Sequence, residues 1–251
     1  MPRPNSYLET LPDGTCFPMV LVEGNSQDNP FMMGSEEGRE REKPVHPVQL
    51  DDFYLGRYVV SQGVWQAIMQ NNPAKFQHLD RPIEQVSWEN CQTFIVKLNQ
   101  TLKIDPESPA AYRLPNEAEW EYAASGGKYA EGTRYAGSDH AYEVAWFSSN
   151  SYEESQVMAL KRPNALGLYG LSGNVLEWCA DWYRMDYYRH CMERKDSLNP
   201  TGPTAGDYKV VRGGSWFVDD DFLRISYRFY SHLLPTVRFN SFGLRLSRYP
   251  R

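Results

Sequence analysis

The sequence is poor in cysteine and has no cysteine spacing typical of a metal site. Four cysteines occur among 251 residues, at positions 16, 91, 179 and 191, and none is part of a Cys-x-x-Cys pair. Structural zinc sites need closely spaced thiolates or imidazoles, so this spacing argues against zinc. Cys91 falls in a helical pattern and Cys179 in an aromatic run, which favours buried free thiols; a Cys179–Cys191 disulfide is the alternative.

Net positive charge and long apolar stretches are absent too. The 26 Lys and Arg residues are outnumbered by 32 Asp and Glu, for a formal net charge of -6. A protein that binds nucleic acid regardless of sequence needs a dense basic surface, so we expect no nucleic-acid partner. No apolar run approaches the length of a membrane span, and the opening Met-Pro-Arg-Pro-Asn-Ser lacks the apolar core of a signal peptide. The compartment stays open.

Aromatic rings and turn-forming residues are abundant instead. The chain has 7 Trp, 17 Tyr, 11 Phe, 18 Gly and 17 Pro. Rings supply large apolar contacts, while Gly and Pro interrupt regular elements. Because 41% of the residues are hydrophobic, the chain can bury a sizeable core. The composition therefore predicts one domain of short elements joined by long ordered loops.

Capping residues and periodicity locate the regular elements. Each predicted helix starts after a residue whose side-chain oxygen can accept from a free backbone N–H. The helices are 62–70 after Ser61, 88–102 after Ser87, and 116–124, where Asn116 and Glu119 resemble a capping box. The strand-like stretches are 17–23 and 31–34, which we expect to form a hairpin, then 48–60, 209–212, 223–230 and 242–247. Between 125 and 204 regular periodicity almost disappears.

Seven short strings follow one another in a fixed order along most of the chain. They are FMMG at 31–34, RPIEQVSWE at 81–89, YRLPNEAEWEYAA at 112–124, PNALGLY at 163–169, SGNVLEW at 172–178, RGGSW at 212–216 and FGLR at 242–245. This ordered series resembles the formylglycine-generating enzyme, or sulfatase-modifying factor, family. The resemblance implies an α+β, C-type lectin-like fold with two to three helices around small antiparallel sheets. It also implies a single domain over 17–248, preceded by an N-terminal extension, 1–16.

The resemblance does not extend to the family's catalytic residues. Enzymes of the family oxidise a substrate cysteine with two cysteines that follow the Gly-Gly-Ser-aromatic motif and hold copper(I). The first would fall near Val218, yet no cysteine occurs after Cys191. A related iron-dependent branch uses a histidine cluster, whereas the five histidines here are scattered and never reach His-x-x-x-His spacing. We therefore predict that the chain is not an enzyme and has no catalytic residues.

Calcium is the remaining ion that the family resemblance implies. Its oxygen ligands would be Glu177 and the carbonyls of Gly173 and Val175. The chain departs from the family pattern because Gly170 stands where a side-chain oxygen is needed. We therefore predict no metal ligand and no cofactor, and Glu177 is then expected to accept hydrogen bonds from loop amides.

The segment 217–241 has a biased composition. It lacks Lys, Glu, Gln, Met and Trp entirely. Diversity-generating retroelements randomise adenines, and the residue types reachable from AAC-type codons exclude the same five. The chain thus resembles the variable proteins of such elements, which often use this fold with diversified positions just after Gly-Gly-Ser-Trp. The positions that keep the family pattern, and which we interpret as framework, are Arg224, Tyr227, Arg228, Pro235, Arg238 and Gly243.

This resemblance implies a ligand-binding face on a fixed scaffold. We predict an exposed set made of Phe217, Val218, Asp219, Ile225, Phe229, Tyr230, Ser231, His232, Thr236, Val237, Phe239 and Ser241. Rigid rings mixed with small polar residues resemble an antibody paratope, which favours a protein at a cell or host surface as the ligand. Ordinary core packing of these rings is the alternative.

Two other functions stay open at this point. One is a catalytically silent assembly or regulatory domain without diversification. The other is an enzyme that uses unrecognised residues such as Asp219 to Asp221 with His232, for which the sequence shows no paired geometry.

Overall fold

The computed structural model describes residues 6–194, 197–229 and 233–250. The strands are β1 (Ser6–Thr10), β2 (Cys16–Val22), β3 (Phe31–Met33), β4 (His46–Val48), β5 (Phe53–Gly56), β6 (Leu176–Trp182), β7 (Lys209–Arg212), β8 (Phe242–Leu244) and β9 (Ser247–Arg248). The helices are α1 (Gln62–Met69), α2 (Trp88–Thr101), α3 (Glu117–Ser125), α4 (Ala141–Val144) and α5 (Tyr187–Arg194). The predicted α+β class is confirmed.

The three helices expected from capping residues are present. Ser61 Oγ accepts from Val64 N at 3.1 Å, and Ser87 Oγ accepts from Asn90 N at the same distance. In α3 the Glu119 carboxylate accepts from Asn116 N at 2.9 Å. These bonds satisfy backbone groups that the first turn of a helix leaves without partners, so local sequence is enough to fix the helix starts. Within the described ranges no helix has both the length and the apolar content to cross a membrane.

The predicted hairpin of 17–23 with 31–34 is wrong. β2 lies inside a four-stranded sheet of order β1-β2-β5-β9, where Val20 stands opposite Ser6 on one side and Leu55 on the other. β3 pairs instead with β4, in a separate two-stranded sheet. Ser6–Thr10, which the sequence analysis placed in an N-terminal extension, thus form the edge strand β1. β2 therefore pairs with β1, the strand before it, and with the distant β5, so that neither of its edges is open to β3.

A three-stranded sheet of order β7-β6-β8 separates the two main parts of the core. β6 pairs antiparallel with β7 and parallel with β8. Successive side chains of a strand face opposite sides. Trp178 accordingly packs in the cluster that contains the apolar side of α2, while Cys179 packs in the cluster that contains Trp120 of α3. β6 therefore holds α2 and α3 on opposite sides of one sheet.

β6 and α5 were missed because 125–204 was interpreted as loop. Residues 176–179 of β6 are all buried, so the strand shows no alternation of polar and apolar residues. All four cysteines lie in the described part of the chain, and none is in a disulfide. Cys16 is exposed and the other three are buried, so the buried-thiol interpretation holds for three of them and the Cys179–Cys191 bridge is wrong.

Candidate binding site

The segment 217–241 leaves the scaffold and returns to it at one place. Trp216 Nε1 donates to Asn240 O at 2.9 Å, which joins the residues just before and near the end of the segment. Leu176 N, at the start of β6, donates to Ser241 O at 2.7 Å. Both ends of the segment are thereby fixed beside the three-stranded sheet.

Buried arginines anchor the middle of the segment. Arg228 makes a bidentate pair with Glu117 of α3, with N–O distances of 2.7 and 2.9 Å. Glu117 also accepts from Arg212 of β7 at 2.8 Å, and Arg212 reaches Glu121 as well. Burial alone would raise the pKa of Glu117, but the charges of Arg228 and Arg212 outweigh it and lower that pKa. The carboxylate is therefore ionised between two guanidiniums.

Arg224 supplies a second anchor. Its guanidinium donates to the buried carboxylate of Glu42 at 2.6 and 3.0 Å. Ser226 Oγ donates to the same carboxylate at 2.8 Å. Tyr227 is buried next to this pair, where its hydroxyl accepts from Arg41. The framework positions 224, 227 and 228 are thus held by side chains from outside the segment, whereas Arg238 is exposed.

The residues of the segment that we predicted to be exposed fall into exposed, half-buried and buried groups. Phe217 and Phe239 are 56% and 47% exposed, and Asp219 and Thr236 are also exposed. Ile225, Phe229 and Val237 are half-buried. Val218 and Ser241 are 7% and 3% exposed, so the prediction that these two are exposed is wrong. Tyr230, Ser231 and His232 lie outside the described residues.

The predicted strand over 223–230 is also wrong for its described part. A short 3₁₀ helix covers Asp220–Leu223, and Leu223 is buried. After this helix the backbone groups of Ile225 hydrogen-bond to a side chain and to another loop. Arg212 Nη2 donates to Ile225 O, and Ile225 N donates to Arg134 O. No strand forms in the described part of 223–229, so contacts with other loops, and not the alternation of a strand, decide which of its side chains are buried.

Two clefts flank the segment. One of about 630 Å³ is lined by Ile225 and Asp221 together with Arg39 and Arg134 from outside the segment. Asp221 joins these two half-exposed arginines at 3.2 and 3.3 Å. The other, of about 490 Å³, is lined by Asp219, Asp220 and several residues of 135–149. Sequence reasoning missed Arg39 and Arg134, because they lie more than 80 positions from the segment and in no motif.

The place expected for catalytic cysteines is filled by apolar packing. Val218 lies in a cluster with Tyr135, Phe147 and Leu223. Burial raises the pKa of the Cys91 and Cys179 thiols, which keeps them protonated. Among the described residues, no group of three or more His, Cys, Asp or Glu side chains is placed to hold a metal ion. Asp219, named for the alternative enzyme site, accepts from Ser148 Oγ at 2.9 Å, and His232 of that site lies outside the described residues.

Glu177 has no free oxygen for a calcium ion. One carboxylate oxygen accepts from Arg245 Nη2 at 2.7 Å, and the other accepts from Arg245 Nε at 2.9 Å and Trp120 Nε1 at 2.8 Å. All three side chains are fully buried. The guanidinium supplies the positive charge that a cation would supply, so this donor set does not fit calcium. We expected loop amides to donate to Glu177, but the donors are the side chains of Arg245 and Trp120.

Comparison with known proteins places this geometry in a family. The sulfatase-modifying factor enzyme 1-like domain matches residues 6–249. The chaperone protein LppX of Paenibacillus barcinonensis is 31% identical, with 83% of this chain and 82% of that protein covered. The serine/threonine-protein kinase Pkn1 of Chlamydia trachomatis is 28% identical over 96% of this chain, but the match spans only 39% of the kinase.

An enzyme and a solved structure complete the comparison. The formylglycine-generating enzyme of Streptomyces coelicolor is 32% identical over 57% of this chain and 44% of that protein. Treponema denticola variable protein 1 superposes with a TM-score of 0.83 at 27% identity, covering 98% of this chain and all of that one. The predicted resemblance to a variable protein is confirmed. Since the family model spans almost the whole chain, this protein belongs to the formylglycine-generating enzyme, or sulfatase-modifying factor, family and has its C-type lectin-like fold.

Proposed function

We propose that the protein is a non-catalytic ligand-binding protein, the variable protein of a diversity-generating retroelement, with its binding face on 217–241. One observation supports this most: the segment combines buried anchors with exposed positions between them. Arg224 and Arg228 are held by carboxylates of the scaffold, whereas Phe217 and Phe239 are exposed. The rings of Phe217 and Phe239 contact Trp216 and Phe242, but because about half of each residue is exposed, substitutions there should cost the fold little.

The proposed face consists of the exposed and half-buried members of the predicted set. In the described part of the segment these are Phe217, Asp219, Ile225, Phe229, Thr236, Val237 and Phe239. Exposed phenylalanines together with the exposed polar residues Asp219 and Thr236 suit a protein ligand, because rigid rings give large contact area at low entropy cost. Val218 and Ser241 contribute by shaping the loop from beneath.

The test of this proposal is to sequence the gene and its neighbourhood from many isolates. We expect substitutions to concentrate at the exposed codons of 217–241, at adenines of a nearby template repeat, beside a reverse-transcriptase gene. The codons of Arg224, Tyr227 and Arg228 should stay unchanged, and they serve as the internal control. Sparse change spread evenly over the gene would contradict diversification.

We further propose that the chain has neither an oxidase activity nor a resident cofactor. Purified protein incubated with copper(I), oxygen and a cysteine-containing sulfatase peptide should give no formylglycine by mass spectrometry. The reason is that Val218 and its apolar neighbours occupy the place of the thiolates. The Streptomyces coelicolor enzyme serves as the positive control, and turnover by this protein would overturn the proposal.

A second candidate function is an assembly or regulatory domain without diversification. It is favoured by the similarity to LppX, which is named a chaperone protein, and by the match to part of the longer kinase Pkn1. The survey of isolates separates the two functions, since an assembly domain would keep Phe217 and Phe239 constant to preserve one partner.

A further inference from the structure

We propose that Tyr152, which lies outside the segment, is a fixed contact residue of the binding face. This inference rests on the proposed ligand-binding function. Tyr152 is 83% exposed, more than any other large hydrophobic side chain that the structure describes. In that same part of the chain its ring has no stacking or hydrogen-bond partner. An exposed tyrosine alone would need no explanation, but its position and backbone conformation do.

The loop of Tyr152 is tied to the start of the segment by three hydrogen bonds. Ser151 Oγ donates to Trp216 O at 2.7 Å, and Ser148 N donates to Val218 O at 3.1 Å. Ser148 Oγ donates to Asp219 at 2.9 Å. Tyr152 directly follows Ser151 in sequence, and Phe217 directly follows Trp216, so each exposed residue is next to one partner of this hydrogen bond. The two exposed rings therefore lie on adjacent pieces of backbone.

The backbone at Tyr152 is strained and firmly held. Tyr152 and Glu153 have φ values of 58° and 60°, a left-handed conformation that bulky residues rarely adopt. The surroundings enforce it: Ser151 and Ser155 are buried, and Gln156 Nε2 donates to Ser151 O at 2.7 Å. Such strain persists at sites where a side chain must be presented in one direction. A rigidly presented tyrosine loses little entropy on binding, which is what an anchor in a changing face requires.

Charge around this ring indicates the kind of partner. Glu153 follows Tyr152 in sequence, Asp219 is hydrogen-bonded to Ser148 of the same loop, and both carboxylates are exposed. Carboxylates at the rim favour approach of a partner with Lys or Arg around an apolar contact. We therefore assign to Tyr152 a protein partner with a basic surface.

The test uses a library of the full chain with positions 217, 236, 237 and 239 randomised and with Tyr152 and Asp219 unchanged. Binders are selected against hen egg-white lysozyme, a small basic protein. In the selected clones, Tyr152→Ala should weaken binding at least about tenfold. Leu8→Ala, at an exposed position of the edge strand β1, is the matched control and should leave Kd unchanged.

A second variant separates binding from folding. Asparagine tolerates a left-handed backbone, so Tyr152→Asn should melt at the same or a higher temperature and still bind at least about tenfold more weakly. A lowered melting temperature would show that the ring packs in the fold and would overturn the inference. Binders insensitive to both substitutions at 152 would overturn it while leaving the proposed function intact. A library that gives no binder would overturn both.

Discussion

Replacing Glu117 with glutamine should lower the free energy of unfolding by about 3 to 5 kcal/mol, measured by urea denaturation. The substitution keeps the size of the side chain but removes the charge between Arg212 and Arg228. Arg212 retains Glu121, whereas Arg228 would lose the only carboxylate that pairs with it in the described part of the chain. An uncompensated guanidinium in a buried site costs far more than a surface charge.

The matched control for Glu117→Gln is Glu40→Gln. Glu40 pairs with Lys43 at 3.8 Å with its side chain mostly exposed, so its loss should change stability little. Equal effects of the two substitutions would show that the buried pair does not hold the segment. The proposed separation of anchors from exposed positions would then lose its basis.

The contribution of Asp181 in β6 to stability should fall as the pH rises from about 4 to about 8. Burial, and then the charge of Glu117, raise the pKa of Asp181 to about 8. Its carboxylate accepts from Glu117 N at 2.8 Å. A carboxyl group whose pKa is raised by folding is protonated in the folded state and ionised in the unfolded state across this range. Each pH unit therefore removes about 1.4 kcal/mol of stability, a few kcal/mol in total.

Asp181→Asn isolates this effect, because asparagine resembles the protonated carboxyl and can still accept from Glu117 N. The variant should equal the wild type near pH 4 and exceed it increasingly up to pH 8, in urea denaturation at fixed ionic strength. Lys209, whose pKa burial lowers to about 8, acts above that range and with the opposite sign. Asp186→Asn, at an exposed site, is the control. A difference between Asp181→Asn and the wild type that does not vary with pH would contradict the prediction.

Sequence reasoning succeeded where structure is determined locally. Ser61, Ser87 and Asn116 mark helix starts because a cap depends on residues three positions away. It failed where partners are distant in sequence: β2 pairs with β5, more than 30 positions later, and Arg228 pairs with Glu117, more than 100 positions earlier. No local pattern contains such information.

The exposure of the proposed binding face was predicted only in outline. The missing residue types pointed to 217–241, and Phe217 and Phe239 are exposed as expected. Val218 and Ser241 were misplaced, because composition and family resemblance mark a segment but do not show which of its positions pack inward. No sequence pattern pointed to Tyr152, because the closeness of its loop to the start of the segment depends on the hydrogen bond between Ser151 and Trp216.

The bond from Trp216 to Asn240 closes the segment into a loop, and Arg224 and Arg228 fix its middle to the scaffold. A loop whose ends already meet can be lengthened at a cost that grows only slowly with its size. Protein engineers could therefore add residues next to the exposed Thr236, with both arginines kept, without disturbing the sheet. Insertions of different length, and not only of different composition, would give this scaffold recognition surfaces of different depth.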